Sequence, residues 1–128
     1  MLTPEVEQAI LELRASFPGV GFEVAEDGNG GALVTGTDFF IGDRFRPSRS
    51  WVAFAITFQY PATDVYPHFM RADLQRADGT PIAADGLSLA VWRGAQAVQI
   101  SRRSHGWKQG LDTAAIKLMK VLEWLRGN

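Results

Sequence analysis

The sequence predicts an α+β fold with an N-terminal helix, an antiparallel meander of about four strands, an irregular polar segment and a long C-terminal helix. Apolar residues recur at helical spacing near both ends of the chain, and they alternate with polar residues along the middle. Consecutive strands flanked by helices are typical of α+β proteins, in which the helices pack on one side or end of the sheet. A length of 128 residues suits one compact domain, so we predict a single domain over residues 1–128.

The N-terminal helix has clear boundary signals. Thr3 is a favourable N-cap residue, and Pro4 suits the first helical position because an N–H group would have no partner there. The segment Phe17-Pro18-Gly19 interrupts the helical spacing of the apolar residues. We therefore predict a helix over Pro4–Ser16.

Several segments between the two helices have the apolar pattern of strands. The predicted strands of the meander are residues 20–25, 32–37, 51–58 and 68–74, and two shorter candidates follow at 87–92 and 97–101. A glycine-rich turn at residues 26–31 predicts that the first two strands form a hairpin. The third strand is apolar on both faces, which favours a central position under a helix.

The C-terminal helix is marked by an apolar stripe and by a terminating glycine. Asp112 is a candidate N-cap, Gly127 suits the end of the helix, and Lys117 and Lys120 are predicted to face water. The stripe consists of Ala115, Leu118, Met119, Leu122 and Leu125.

Three further features have simple structural interpretations. We predict that Arg44, Arg46 and Arg49 lie in a solvated loop, which an acidic face of a partner protein can also use. Asp64 is predicted to cap a turn, because aspartate side chains bond to nearby backbone N–H groups. Trp107 is predicted to pack against the last helix.

The composition excludes several classes of chemistry. The chain has no cysteine, which rules out disulfides, thiolate metal sites and a sulfur nucleophile. His68 and His105 are far apart and lack the spacing of a zinc motif, so we predict neither a metal nor a cofactor. The glycine-rich turn at residues 26–31 joins two strands and has no lysine, unlike a phosphate-binding loop.

The charge is distributed unevenly along the chain. Residues 1–88 carry 6 basic and 12 acidic side chains, whereas residues 89–128 carry 7 basic and 2 acidic ones. A basic region on a mildly acidic chain favours an acidic protein partner over nucleic acid. The sequence contains no apolar run long enough for a membrane span and no signal-peptide pattern, so we predict a cytoplasmic protein that does not bind membranes.

The motifs near the middle and the end of the chain resemble the ubiquitin-conjugating enzyme superfamily. Tyr60-Pro61 follows the third predicted strand, and Phe69 stands nine residues after the tyrosine, as in that family. Asp64 and Val65 replace the paired prolines of the family. Trp107 stands before the last helix, where the family has a tryptophan shortly after its catalytic cysteine.

The chain is most similar to a divergent bacterial branch of this superfamily. That branch has a tract of the form Gln-aromatic-Ser-Arg-His before the tryptophan, and Gln99, Ser101 and Arg102 match it. An isoleucine replaces the aromatic residue, and Arg103 replaces the histidine, for which His105 is a nearby substitute.

The resemblance implies a transferase that receives a ubiquitin-like protein from an activating-enzyme-like partner and passes it to an amine. Because the chain lacks cysteine, a hydroxyl group would have to carry the acyl group as an oxyester. Ser101 lies where the nucleophile region of the family falls, and Ser104 is the alternative nucleophile.

A serine nucleophile needs a base to accept its proton and donors to stabilise the oxyanion. His105 is the candidate base, while His68 lies in a predicted strand and is expected to be structural. Arg102, Arg103 and the amide of Gln99 are the candidate oxyanion donors.

Two other functions are alternatives to the transfer of a ubiquitin-like protein. A catalytically inactive member of the family would act as an adaptor that binds a ubiquitin-like protein or an activating enzyme. A small secretion-type chaperone would instead expose an apolar groove and form a stable homodimer, whereas the conjugating fold predicts a monomer. In either family-based function, the positive charge of Arg102, Arg103 and Lys108 favours an acidic face on the partner.

Overall fold

A computed structural model describes residues 1–127. Over these residues the chain is α+β, as predicted, and its helices lie at the two ends of the sequence. The elements in chain order are α1 (Pro4–Ser16), β1 (Phe22–Glu26), β2 (Ala32–Phe40), β3 (Phe45–Arg46), β4 (Arg49–Ile56), β5 (His68–Arg71), β6 (Gln75–Arg76), β7 (Leu87–Trp92), β8 (Ala95–Ile100) and α2 (Ala114–Arg126).

The main sheet is larger than the predicted meander. Within the described residues it has six antiparallel strands in the order β1-β2-β4-β5-β8-β7. The first four strands form the predicted meander, and the hairpin of β7 and β8 extends it with β8 next to β5. Arg93 and Gly94 form the turn of this hairpin with φ angles of 50° and 83°, the left-handed conformation that tight hairpin turns favour. The short strands β3 and β6 pair separately.

The two helices begin and end as their sequences require, with one correction. For α1 the predicted bounds are confirmed, and the Thr3 hydroxyl accepts a hydrogen bond from the Val6 N–H at 3.1 Å. Gly127 ends α2 with a φ of 88°, as predicted. The prediction of Asp112 as N-cap is wrong, because the neighbouring Thr113 has the extended backbone of a cap and its hydroxyl accepts the free Ile116 N–H at 3.1 Å.

A row of buried side chains crosses the middle of the sheet on one face. Val34, Phe54, His68 and Ile100 are in register on four neighbouring strands, and each is 0% exposed. Side chains alternate between the two faces of a strand, so these residues share a face. The apolar members of the row form one hydrophobic core with the buried sides of α1 and α2. The helices therefore cover this face of the sheet.

Arg44 joins a loop to the end of α2. Its Nη2 atom donates hydrogen bonds to the carbonyl oxygens of Trp124 and Leu125, each at 2.8 Å, and its Nε atom donates to Leu125 at 3.1 Å. Arg44 is exposed in a turn, as predicted, whereas Arg46 and Arg49 are exposed but lie in the strands β3 and β4, so the prediction of a loop is wrong for these two. The last carbonyl groups of a helix have no partner within the helix, and a cation also interacts favourably with that end of the helix dipole.

We expect Arg44→Met to lower the free energy of unfolding by roughly 1 kcal/mol, because the C-terminal carbonyl groups of α2 lose a charged donor. Urea unfolding followed by circular dichroism measures this change. Arg46→Met is the matched control, since Arg46 is exposed and forms no side-chain hydrogen bond among residues 1–127. An equal loss in both variants would contradict the role assigned to Arg44.

Candidate functional site

Ser101 lies directly after β8, where the chain leaves the sheet. Its N–H donates a hydrogen bond to the Gly86 carbonyl oxygen at 2.8 Å, which continues the pairing of β7 and β8 by one residue. Its hydroxyl accepts a hydrogen bond from Nε2 of Gln99 at 3.3 Å. The structure thus brings the predicted nucleophile and one predicted oxyanion donor together, because residues two apart on a strand share a face.

Neither histidine forms a hydrogen bond with Ser101 in the part of the chain that the structure describes. His105 is exposed in the loop after β8. His68 is fully buried in β5, where its ring lies 5.0 Å from the ring of Phe54. Its two ring nitrogens have no hydrogen-bond partner among residues 1–127. Within the described part of the chain, the Ser101 hydroxyl is therefore not hydrogen-bonded to a base.

Burial has a strong effect on the protonation of His68. Burial and, to a smaller extent, the positive charge of Lys117 lower the pKa of the imidazole from 6.5 to about 3, and the charge of Asp64 partly opposes them. His68 is therefore neutral in the folded protein at neutral pH, which fits the structural role predicted for it.

Two arginines are held in place by aromatic rings. The guanidinium of Arg102 lies 4.9 Å from the ring of Trp124, and that of Arg103 lies 4.2 Å from the ring of Tyr66. A guanidinium within about 6 Å of a ring centre is attracted by the negative face of the ring. Among the described residues neither arginine forms a salt bridge. Both keep an uncompensated positive charge at the surface.

The sequence analysis missed a cluster of three charged and polar side chains, which we call the Asp64 cluster (Asp64, Ser104 and Lys117). Nζ of Lys117 lies 3.0 Å from each carboxylate oxygen of Asp64 and 2.7 Å from the Ser104 hydroxyl. Asp64 also accepts the Ser104 N–H at 2.8 Å and the Ser104 hydroxyl at 3.1 Å. The cluster thus joins the turn after β4, the loop after β8 and helix α2.

Two predictions about these residues are wrong. Lys117 does not face water, because only 4% of its side chain is exposed, and Asp64 is not a local turn cap. Burial alone would raise the pKa of Asp64, but hydrogen bonds from Ser104 and the charge of Lys117 hold it below its usual value. The spacing in the sequence did indicate the burial of Lys117. This residue lies three residues after Ala114 and four before Val121, which places it on the buried side of α2.

A pocket of about 190 Å³ lies beside the Asp64 cluster. Its lining residues are Arg102, Arg103, Ser104, His105, Asp112, Lys117, Lys120 and Val121. Asp64 balances the charge of Lys117, and Asp112 lies 3.9 Å from Nζ of Lys120, but the two arginines have no such partner within the residues that the structure describes. The pocket therefore suits an anionic group.

The motif residues that carry the family resemblance also meet in the structure. Nε1 of Trp107 donates a hydrogen bond to the Pro61 carbonyl oxygen at 2.8 Å, and its ring lies edge-on to Tyr60 at 6.4 Å. The Tyr60 hydroxyl accepts the Ala114 N–H at 3.1 Å, at the first turn of α2. Beside them an acidic groove runs along α1, lined by Glu5, Glu12 and Asp112 among others.

Comparisons with protein-family models, with curated proteins and with solved structures found no match for this chain. The resemblance to ubiquitin-conjugating enzymes therefore depends on the motif residues alone. Among residues 1–127, no helix has the length and hydropathy to cross a membrane. In the same residues, no three metal-binding side chains of the histidine, cysteine, aspartate or glutamate type come together.

We expect Asp64→Asn to lower the free energy of unfolding by roughly 2–3 kcal/mol, because it leaves the buried ammonium of Lys117 without a countercharge. The double variant Asp64→Asn/Lys117→Met should be more stable than Asp64→Asn, since it removes that charge. Urea unfolding at neutral pH measures both. Asp73→Asn is the matched control, because its ion pair with Arg71 is exposed and screened by water, so its loss should be clearly smaller. Equal losses for Asp64→Asn and Asp73→Asn would refute the assignment.

The buried imidazole predicts a pH dependence of stability. The unfolded chain takes up a proton on His68 below pH 6.5, whereas the folded chain does so only near pH 3. The contribution of the neutral His68 imidazole to the free energy of unfolding is therefore complete above pH 6.5 and is lost as the pH falls. Between about pH 6 and pH 4, the free energy of unfolding decreases by about 1.4 kcal/mol per pH unit. We expect His68→Leu to remove this slope, measured by urea unfolding across that range. The control His105→Leu should keep it because His68 is still present, and an unchanged slope in His68→Leu would contradict the account.

Proposed function

We propose that this protein is a ubiquitin-conjugating-like adaptor, which binds a ubiquitin-like protein or its activating enzyme without forming a covalent bond to it. The motif residues of the sequence support the class of partner. The observation that carries the adaptor role is the environment of the Ser101 hydroxyl, which is hydrogen-bonded to the Gln99 amide and to no base among residues 1–127.

The Ser104 hydroxyl is also a poor candidate for attack on an acyl group. It donates its proton to a hydrogen bond with Asp64 and accepts one from the ammonium of Lys117. An ammonium group has no lone pair to accept a proton, so Lys117 in this ion pair does not act as a base. The Asp64 carboxylate does accept a hydrogen bond from this hydroxyl, but its lowered pKa makes it a weak base, so the Asp64 cluster positions the loop more than it activates the hydroxyl.

The charge of the pocket supports binding. Arg102 and Arg103 are held at the pocket by aromatic rings and have no carboxylate partner among the described residues. Arginine recognises carboxylates through two parallel hydrogen bonds. A free C-terminal carboxylate or an acidic patch of a ubiquitin-like protein matches this surface. Such contacts raise the association rate and weaken as salt screens them.

A second candidate function is transfer of the modifier to an amine through a serine oxyester. One observation favours it, the distance of 2.7 Å between the Ser104 hydroxyl and Nζ of Lys117 in a basic pocket. In this reaction the serine oxygen would attack the carbonyl carbon of a thioester, the carbon–sulfur bond would break, and an amine would then displace the serine. The serine proton would need a base: the Asp64 carboxylate already accepts a hydrogen bond from this hydroxyl, and His105 lines the same pocket.

One experiment separates the two candidates. The protein is incubated with a ubiquitin-like protein, an activating enzyme of the same cell and ATP, and the products are analysed by intact mass. We expect no adduct on this chain. An adduct that survives reducing agent, is cleaved by hydroxylamine and is lost in Ser101→Ala or Ser104→Ala would establish transfer and overturn the adaptor role.

Binding is measured in parallel by calorimetry. We expect the double variant Arg102→Ala/Arg103→Ala to weaken binding at least about ten-fold, and we expect high salt to weaken binding of the unaltered protein. Arg46→Ala, which removes an exposed arginine far from this pocket in sequence, is the matched control and should bind normally. Absence of both binding and adduct would refute the assignment to this class.

A further inference from the structure

Within residues 1–127, one side of the main sheet has no helix packed on it. Side chains alternate along a strand, so the neighbours of the buried row point to the side away from α1 and α2. On that side Thr35, Ala53, Phe69 and Gln99 are in register on β2, β4, β5 and β8. We call this side of the sheet the open face.

The open face is more apolar than a sheet surface in contact with water usually is. Trp51, Phe69 and Trp92 are half-buried on it, and the rings of Phe69 and Trp92 stack at a distance of 4.9 Å. Ala53 and Ala97 are 0% and 1% exposed, yet neither belongs to the hydrophobic core between the sheet and the helices. The water-facing side of an antiparallel sheet is normally polar, and an apolar side is stabilised by a second layer packed on it.

The charged residues of the open face lie at its margins. Arg49 begins β4 and Arg71 ends β5, and each forms an ion pair with an aspartate, Asp38 at 3.0 Å and Asp73 at 2.6 Å. Glu23 is on the edge strand β1. The centre of the face therefore has no charge to attract a charged partner. Homodimer interfaces are more apolar than the rest of a protein surface, whereas transient interfaces between different proteins are about as polar as that surface.

The size of the open face suits a dimer. Six strands about 4.8 Å apart, with about five residues each, cover roughly 500 Å² in projection. The relief of the side chains increases the accessible area beyond this projection. The face is therefore comparable to the roughly 800 Å² that each partner contributes to a stable interface.

We propose that two copies of this chain pack open face to open face about a two-fold axis that runs along the strands between β4 and β5. The two sheets then lie about 10 Å apart as a sandwich, with the helices on the outside. This axis places Phe69 of each copy against Ala53 of the other, and Gln99 against Thr35. A large ring thus meets a small side chain, and an amide meets a hydroxyl. A different protein would cover the apolar area, but it would not explain this self-complementarity.

The proposed dimer does not depend on the adaptor role. The cationic pocket is lined by Lys117, Lys120 and Val121 of α2, which lies on the other side of the sheet. Both pockets of a dimer therefore stay open, and failure of either proposal leaves the other in place. The dimer replaces the monomer that the family resemblance predicts.

The absence of cysteine allows a direct test of the axis. Ala55→Cys and Ala25→Cys each place one thiol on the open face, at half-buried positions that both lie beside Leu33 in the register. In the proposed dimer the two Cα atoms at position 55 are about 11 Å apart, and those at position 25 are about 26 Å apart. A short bismaleimide spans only the first gap. We expect it to cross-link Ala55→Cys into a covalent dimer at least about ten times faster than Ala25→Cys, and equal rates would overturn the axis.

Sedimentation of the unaltered protein tests the association itself. We expect a dimer of twice 14.1 kDa at about 100 µM. Ala55→Lys and Thr35→Lys each place a charge in the apolar interface, and both should be monomers at this concentration. Leu11→Lys changes an exposed leucine of α1, on the other side of the sheet, and should remain dimeric.

Circular dichroism confirms the fold of each variant, so that loss of the dimer is not mistaken for unfolding. A monomer in the unaltered protein, or a dimer that persists in both lysine variants of the open face, would overturn the proposal. Weaker calorimetric binding of a ubiquitin-like protein by a monomeric Ala55→Lys, with an unaltered protein that is also monomeric, would assign the face to that partner and overturn it as well.

Discussion

The ion pair between Asp64 and Lys117 is the constraint on which the rest of the candidate site depends. A buried ammonium is costly without a countercharge, so the position of Lys117 on the inner side of α2 requires the carboxylate to be there. Asp64 in turn holds the backbone N–H of Ser104, and this fixes the loop after β8. Arg102 and Arg103 immediately precede Ser104, so the ion pair between Asp64 and Lys117 also positions the basic side of the pocket.

The ion pair between Asp64 and Lys117 also affects the reactivity of the Ser104 hydroxyl. A hydroxyl that is held between a carboxylate and an ammonium is well placed to orient a loop, but it is not free to attack a carbonyl carbon. Ser101 is less constrained, yet its neighbour is an amide and not a base. A chain without cysteine that keeps a preorganised cationic pocket is therefore better suited to binding than to transfer. Electrostatic preorganisation serves both tasks, whereas a serine nucleophile also needs a good proton acceptor, and the lowered pKa of Asp64 makes it a weak one for Ser104.

Features set by neighbouring residues were predictable from the sequence, and features set by distant residues were not. The bounds of α1 follow from Thr3, Pro4 and the apolar spacing, all within one segment. The N-cap of α2 was misassigned by one residue because Asp112 and Thr113 have similar capping preferences. The pairing of β8 with β5, the anchoring of α2 by a loop arginine and the Asp64 cluster join residues far apart in sequence. A charged residue beside an apolar stripe is usually solvated, so the burial of a lysine shows only once its partner is known.

Hydrogen exchange of residues 101–113 tests most directly whether the Asp64 cluster holds the site together. The comparison is between the unaltered protein, Lys117→Met and the control Lys120→Met, whose lysine is exposed. We predict that exchange in this segment becomes at least about ten times faster in Lys117→Met, while β2 and β4 stay protected and Lys120→Met behaves like the unaltered protein. Unchanged exchange of residues 101–113 in Lys117→Met would contradict the account.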